Sequence, residues 1–236
     1  MTSDEQRFGP VRVRWVSPGP YATNCYLLDA PDTAGRSRAW VVDAGFEPEA
    51  MLSLIAAWQA EAGPDAAGSP PEPDALILTH AHIDHIAGVA AVKAAFPEVP
   101  IAIHADEAAW LNDPELNLSV FSGAPTTAPG PDRTLAHNDT LTLGATTWRV
   151  LHVPGHSPGS ITLACEDEPV AIVGDALFQG SIGRTDFPGC SMDQLTRSIR
   201  DHLYTLAPET TAFPGHGPST TIGVEARSNP FVRVET

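Results

Sequence analysis

The sequence predicts an α/β chain built as two similar αβ halves packed sheet to sheet. Short apolar strands recur along its whole length, helical periodicity interrupts them in both halves, and metal-ligand residue types follow strands at four separate places. Val11 to Val16 sets Val11, Val13 and Trp15 against Arg12 and Arg14, the period of a half-buried strand. Residues 24–28 and 39–43 continue as strands around a turn at 31–38. Met51, Leu54, Ile55 and Trp58 give 47–61 helical spacing, and the Pro-, Gly- and Ala-rich stretch 63–74 is an exposed connection. Residues 74–79 read as a buried strand, 86–96 as a helix, 101–104 as a strand, and the chain then turns helical to about Leu111. From 112 to 138 no period is sustained, a length that marks a functional or mobile loop. Strands are predicted at 140–143, 147–153, 160–165 and 170–173, a helix at 192–203, a strand at 211–213 and a closing helix at 220–228. With no repeat and no composition break, residues 1–236 are expected to form one domain.

Composition narrows the function. A formal charge of −16, with Lys93 the only lysine, argues against a broad phosphate-binding surface and hence against nucleic acid. Cys25, Cys165 and Cys190 are too few and odd in number for a disulfide framework. The first seven residues are polar with no apolar run behind a basic tip, and no stretch has the apolar length to span a bilayer. A cytoplasmic protein without membrane partners is the expectation.

Thr79-His80-Ala81-His82-Ile83-Asp84-His85 is the densest chemistry in the chain, holding three of its nine histidines. Neutral imidazole is the commonest metal ligand, and a carboxylate beside it suits zinc, iron or manganese. His80 and His82 face one point from an extended turn, not from a helix, where positions two apart diverge. Three more strand-to-turn segments each deliver one ligand type: His156 in Val153-Pro154-Gly155-His156-Ser157-Pro158-Gly159, Asp175 after Gly174, and His216 between Gly215 and Gly217. Five histidines and two aspartates exceed the needs of one tetrahedral zinc and suit two metals roughly 3.5–4 Å apart sharing a carboxylate. Gly155-His156-Ser157-Pro158-Gly159 also matches a serine nucleophile elbow, but a strand, not a helix, is predicted after it, and Pro158 has no N–H for an oxyanion hole. His104 and His152 are expected to be packed or to support the site from behind, and His137 and His202 to be exposed. Cys190 is expected to be a small loop residue. Asp43, at a strand end, either orients a ligand histidine through its second ring nitrogen or simply forms a turn.

Thr-His-x-His-x-Asp-His at 79–85, Pro-Gly-His-Ser-Pro-Gly at 154–159, Gly-Asp at 174–175 and Pro-Gly-His-Gly-Pro at 214–218 together resemble the metallo-β-lactamase superfamily. Ser181-Ile182-Gly183-Arg184-Thr185-Asp186-Phe187-Pro188-Gly189 and Asn229-Pro230-Phe231 resemble its small bacterial glyoxalase II-like hydrolases. The resemblance implies a four-layer αββα sandwich with a metal centre at one sheet edge. It implies that His80, His82 and His156 hold one divalent ion, that Asp84, His85 and His216 hold a second, and that Asp175 bridges them. Zinc is the first expectation for both ions, with iron or manganese as alternatives. The implied reaction is hydrolysis of a small-molecule thioester such as S-2-hydroxyacylglutathione by a hydroxide shared between the metals, with Asp84 also orienting it.

Arg184 is expected either to contact an anionic substrate group or to pair with Asp186 and brace the loop; Asp43 and Asp186 would support the centre from outside the ligand set. The longer glyoxalase II enzymes continue into a helical glutathione-gripping domain; only residues 232–236 follow Phe231, so none is expected here. On the same motif, a mononuclear iron persulfide dioxygenase shares the histidines and Gly-Arg-Thr-Asp-Phe, and a lactonase or β-lactamase would use the same centre. A metal-binding non-enzyme is disfavoured by the complete ligand set. Ser181-Ile182 before Gly183 favours the hydrolase group. Oligomeric state is left open.

Overall fold

The computed structural model describes residues 4–64 and 68–234. Its first sheet runs in chain order: β1 (Asp4–Phe8), β2 (Val11–Val16), β3 (Cys25–Pro31), β4 (Ser37–Val42), β5 (Ala75–Ile77), β6 (Ile101–His104) and β7 (Arg133–Leu135). β1 to β4 are antiparallel; β4 to β7 are parallel, as crossovers through helices require. The helices on this sheet are α1 (Glu49–Ala62), α2 (Ile83–Ile86) and α3 (Val89–Ala95). The second sheet is built from β8 (Thr140–Leu143), β9 (Thr146–His152), β10 (Ile161–Cys165) and β11 (Val170–Gly174). A small ribbon, β12 (Leu177–Phe178) with β13 (Ser181–Ile182), and α4 (Met192–Ser198) lead to β14 (Thr211–Pro214), β15 (Thr220–Thr221) and α5 (Ile222–Ser228). The order in this sheet is β15-β14-β11-β10-β9-β8, with β11 and β14 parallel.

Strand periodicity divides the apolar side chains into three cores, and three cores separate four layers. In β3, Tyr26 and Leu28 face the second sheet while Cys25 and Leu27 face the helices. In β11, Val170 and Ile172 face the first sheet while Ala171 and Val173 pack with Leu195 and Ile199. Large aromatics fill the seam between the sheets: Trp40 meets Trp148 edge-on at 5.8 Å, and Phe213 meets Tyr26 at 5.8 Å and Trp15 at 5.5 Å. The αββα sandwich expected from the resemblance is the fold observed.

Several elements differ from their prediction. β1 pairs along β2 with almost every side chain exposed, so its backbone makes a strand that no apolar alternation announces. The expected helix 86–96 starts three residues early and breaks at Gly88, where a Cβ would stand 2.6 Å from Gly45 O and the N–H bonds Ala44 O at 2.7 Å. Ala105–Asn112 winds as 3-10 turns, α4 ends in a π turn at Ile199–Leu203, and the irregular 112–138 stretch holds a 3-10 turn, Ser119–Ser122, and strand β7. Among the described residues no helix is long and apolar enough to cross a membrane.

Candidate metal centre

The C-terminal ends of β4, β5, β11 and β14 meet along one edge, the position where open parallel sheets carry their ligands. Asp43 closes β4, His80 and His82 lie on the extended turn after β5, and Asp84 and His85 occupy the first turn of α2. His156 follows β9, Asp175 follows β11 and His216 follows β14. The halves are sewn together here. Thr23 bridges His216, Asn24 Nδ2 donates to Pro214 O at 2.9 Å, and Ile161 N–H donates to Thr79 O at 2.9 Å.

All seven sequence-predicted ligand residues converge. Ligand atoms of His80, His82 and His156 lie within 4.8 Å of one another, as do those of Asp84, His85 and His216, and those of His80, His85 and Asp175. Asp175 stands between the groups: Oδ1 is 3.5 Å from His85 Nε2, while Oδ2 is 3.6 Å from His156 Nε2 and 3.5 Å from His216 Nε2. A Cβ on Gly215 would come within 2.0 Å of Asp175 Oδ1, so the chain passes this carboxylate only as glycine.

The second ring nitrogens are held from outside. His85 Nδ1 bonds Asp43 Oδ2 at 2.8 Å, His156 Nδ1 bonds Arg184 O at 2.9 Å and His216 Nδ1 bonds Tyr21 O at 3.1 Å. Asp43 also accepts from Thr79 N–H at 2.8 Å and Thr79 Oγ1 at 2.7 Å, and Thr79 Oγ1 meets His80 Nδ1 at 3.1 Å. Asp43 is at once a left-handed turn residue (φ 60°) and the hydrogen-bond partner of His85 Nδ1. Fixing one nitrogen of an imidazole sets which nitrogen faces the ion.

Charge divides the centre. Burial and the neighbouring imidazoles push His80 well below the usual histidine range, and burial with His156 brings His82 to about 3. Burial also lowers His156. Across from them burial opposes charge on His85, yet Asp84, Asp43 and Asp175 outweigh it and hold that ring well above its ordinary value. His216, bonded to Asp175 and Asp84 against burial, rises to about 9. Burial alone would raise Asp84, but His85 and His216 bring it down to about 2, and Thr23 Oγ1 donates to its Oδ2 at 2.8 Å. His80 Nε2, His85 Nε2 and Asp175 Oδ1 are buried without a hydrogen-bond partner among the described residues. Buried polar atoms left unpaired in this way, all facing one point, fit a bound cation.

A family model for the metallo-β-lactamase superfamily matches residues 18–216. The chain belongs to the metallo-β-lactamase superfamily. It is 40% identical over 220 residues, 93% of this chain and 96% of the relative, to the probable metallo-hydrolase YqgX of Bacillus subtilis. It is 39% identical over 159 residues, 66% of this chain and 74% of the relative, to the hydroxyacylglutathione hydrolase GloC of Haemophilus influenzae. Among solved structures it is similar to the BLEG-1 B3 metallo-β-lactamase, with TM-score 0.81 and 39% identity, covering 93% of this chain and 99% of the other. It is similar also to TTHA1623 in a di-iron-bound form, with TM-score 0.74 and 36% identity over 92% and 98% of the two chains. As a member of this superfamily it is a metal-dependent hydrolase with candidate histidine and aspartate metal sites.

Within this metallo-β-lactamase fold the remaining predicted residues fall as follows. The Arg184 guanidinium pairs with Asp186, Nε to Oδ1 at 3.0 Å and NH2 to Oδ2 at 2.9 Å, and lies 4.5 Å over the Phe187 ring. It is the Arg184 carbonyl, not the guanidinium, that touches a candidate ligand. Ser157 is buried with its hydroxyl on Ser160 Oγ at 2.7 Å and a strand after it, so no nucleophile elbow forms. Cys190 Sγ donates to His156 O at 2.7 Å.

Sequence reasoning missed Glu107. Fully buried, it accepts from Ala81 N–H through Oε2 at 2.5 Å and from Gly159 N–H through Oε1 at 2.6 Å, tying the 79–85 turn to the 154–159 turn. Burial raises its carboxyl, against the bonds from Ser157 and the two amides. A cavity of about 570 Å³ opens onto the centre, walled by Tyr21, Leu118, Phe121, Phe178 and Phe187.

Proposed function

We propose that this chain hydrolyses a small thioester at a pair of divalent metal ions, zinc by preference, with a hydroxyacyl thioester as the leading substrate class. One observation carries it: Asp175 presents one oxygen to His85 and the other to His156 and His216, so a single carboxylate serves two groups of ligands. His80, His82 and His156 would hold one ion, and Asp84, His85 and His216 the other. Ions bound there would supply Lewis-acid polarisation of a carbonyl and a lowered water pKa at neutral pH.

The chain's own residues do the rest. His80, His82 and His156 stay neutral and therefore available as ligands. Asp43, Arg184 O and Tyr21 O hold His85, His156 and His216 in orientation. Thr23 fixes the Asp84 carboxylate, placed to orient the attacking water. The aromatic wall excludes water and receives the apolar part of the substrate. A thiolate leaves without being protonated, and among the described residues the cavity lining holds no carboxyl group other than Asp84 and Asp175, which suits a thioester better than an amide. The likeness to a hydroxyacylglutathione hydrolase points to the same class.

The test is a panel of thioesters, with and without a glutathione moiety, on metal-replete protein with metal content and oxygen uptake measured together. Thioester turnover with two metals per chain and no oxygen consumed is expected. Oxygen uptake on glutathione persulfide with one iron per chain would overturn it.

A further inference from the structure

The four histidines outside the centre, His104, His137, His152 and His202, are not scattered. His104 and His152 stack with ring centroids 4.0 Å apart and planes 14° from parallel, His137 Nδ1 accepts from His152 N–H at 3.1 Å, and His137 and His202 meet at 4.7 Å. The group leans on the loop that carries His156, because His152 Nε2 bonds Pro158 O at 2.7 Å. Ligand atoms of His104, Asp106 and His152 all lie within 4.8 Å of one another.

We infer that His104, His152 and Asp106 form a third cation site, separate from the centre, for a nitrogen-preferring divalent ion such as zinc. Two imidazoles and a carboxylate are the donors such ions select over magnesium or calcium. The tautomer of His152 is already set: Nε2–H donates to a backbone carbonyl, as in most metal-ligating histidines, and leaves the Nδ1 lone pair unprotonated. His104 Nδ1 stands 3.7 Å from Asp106 Oδ2 and is engaged only by a long 3.3 Å bond from Asp106 N–H. Two imidazoles stacked face to face repel if both are charged; burial and the neighbouring His152 ring lower His104, which favours the neutral form that ligation needs in that ring. The stacked rings hold their in-plane lone pairs side by side, so ligation would need a turn of the His104 ring, which leaves the His152 bond to Pro158 O intact; the exposed Asp106 side chain leaves an entry path. His137 lies outside the group of ligand atoms that approach one another here, its Nδ1 accepting from His152 N–H. An ion in this position would brace the loop bearing His156 from outside.

The experiment compares metal-stripped wild type with His104→Phe, which keeps an aromatic ring on His152, by equilibrium dialysis against zinc. Wild type is expected to hold one equivalent more than His104→Phe, with matching unfolding midpoints in chelator showing that the variant is folded. Asp106→Asn, at an exposed side chain, is expected to hold that extra equivalent only at higher free zinc. Zinc-soaked wild-type crystals should give an anomalous peak between His104 and His152. Equal stoichiometry in wild type and His104→Phe, or zinc peaks confined to the central cluster, would overturn the site; because the readout is a difference between two proteins, it does not depend on how many ions the centre holds.

Discussion

The two sides of the centre are built from different chemistry. His80, His82 and His156 make a trio of buried neutral imidazoles, whereas Asp84, His85 and His216 mix a carboxylate with rings that carry protons when no metal is present. The first side offers lone pairs that are ready to bind. Under the proposed assignment the second would have to release protons to bind an ion, which would make its affinity depend on pH. Asp175 belongs to both, and His85 answers in addition to Asp43 behind it.

The largest break in this division should come from Asp175→Ala. It removes the shared carboxylate, and turnover is expected to fall by on the order of 10³-fold or more, with metal content lost from both sides. Normal turnover in a metal-loaded Asp175→Ala protein would end the shared-carboxylate account. Asp43→Asn should act on one side. With an amide replacing the carboxylate behind His85 Nδ1–H, binding of the His85 equivalent is expected to weaken by about 10–100-fold and that of the His80 equivalent, reached only through Thr79, by less, read by metal titration. Equal weakening of both equivalents would show that the sides are not separable.

Glu107→Gln keeps the shape but turns an amide NH2 toward a backbone N–H. A stability loss of about 1–3 kcal/mol by chemical unfolding is expected, since one buried amide of Ala81 or Gly159 loses its acceptor. An unchanged midpoint would mean that the two turns hold their spacing without it. The smallest effect is in pH. His216 rises from 6.5 to about 9, so the stability it lends the metal-free protein is complete below 6.5 and is lost as pH climbs through about 9. His85 acts in the same direction. Thermal melts in chelator across that window should slope downward with pH, and His216→Gln should flatten the slope; an identical slope in the variant assigns it elsewhere.

The candidate ligand residues were legible in the sequence because they follow apolar strands, four of them packed into the 79–85 turn and the others, His156, Asp175 and His216, each next to a glycine. Glu107 was not, because its partners are backbone amides 26 and 52 residues away and nothing local separates it from a surface acid. The break at Gly88 was hidden for a similar reason: its N–H bonds the distant carbonyl of Ala44 and not a carbonyl of its own helix, and the close Gly45 carbonyl leaves room there only for glycine. β1 escaped notice because an edge strand held by backbone pairing needs no apolar face. The clustering of His104, His137, His152 and His202 lay beyond reach too, since four elements far apart in sequence meet only once both sheets are stacked.

The bridge between Thr23 and His216 joins the beginning of one sheet to the end of the other. A growing chain that has emerged only through residue 138 carries His80, His82, Asp84 and His85 but none of His156, Asp175 and His216. Half-made protein would therefore offer a metal only part of the proposed ligand set, and full affinity would arrive only with the last strands of the second sheet. Under that assignment metal capture would mark completed synthesis and folding, and an ion held there would act as a rivet across the closure between the two halves.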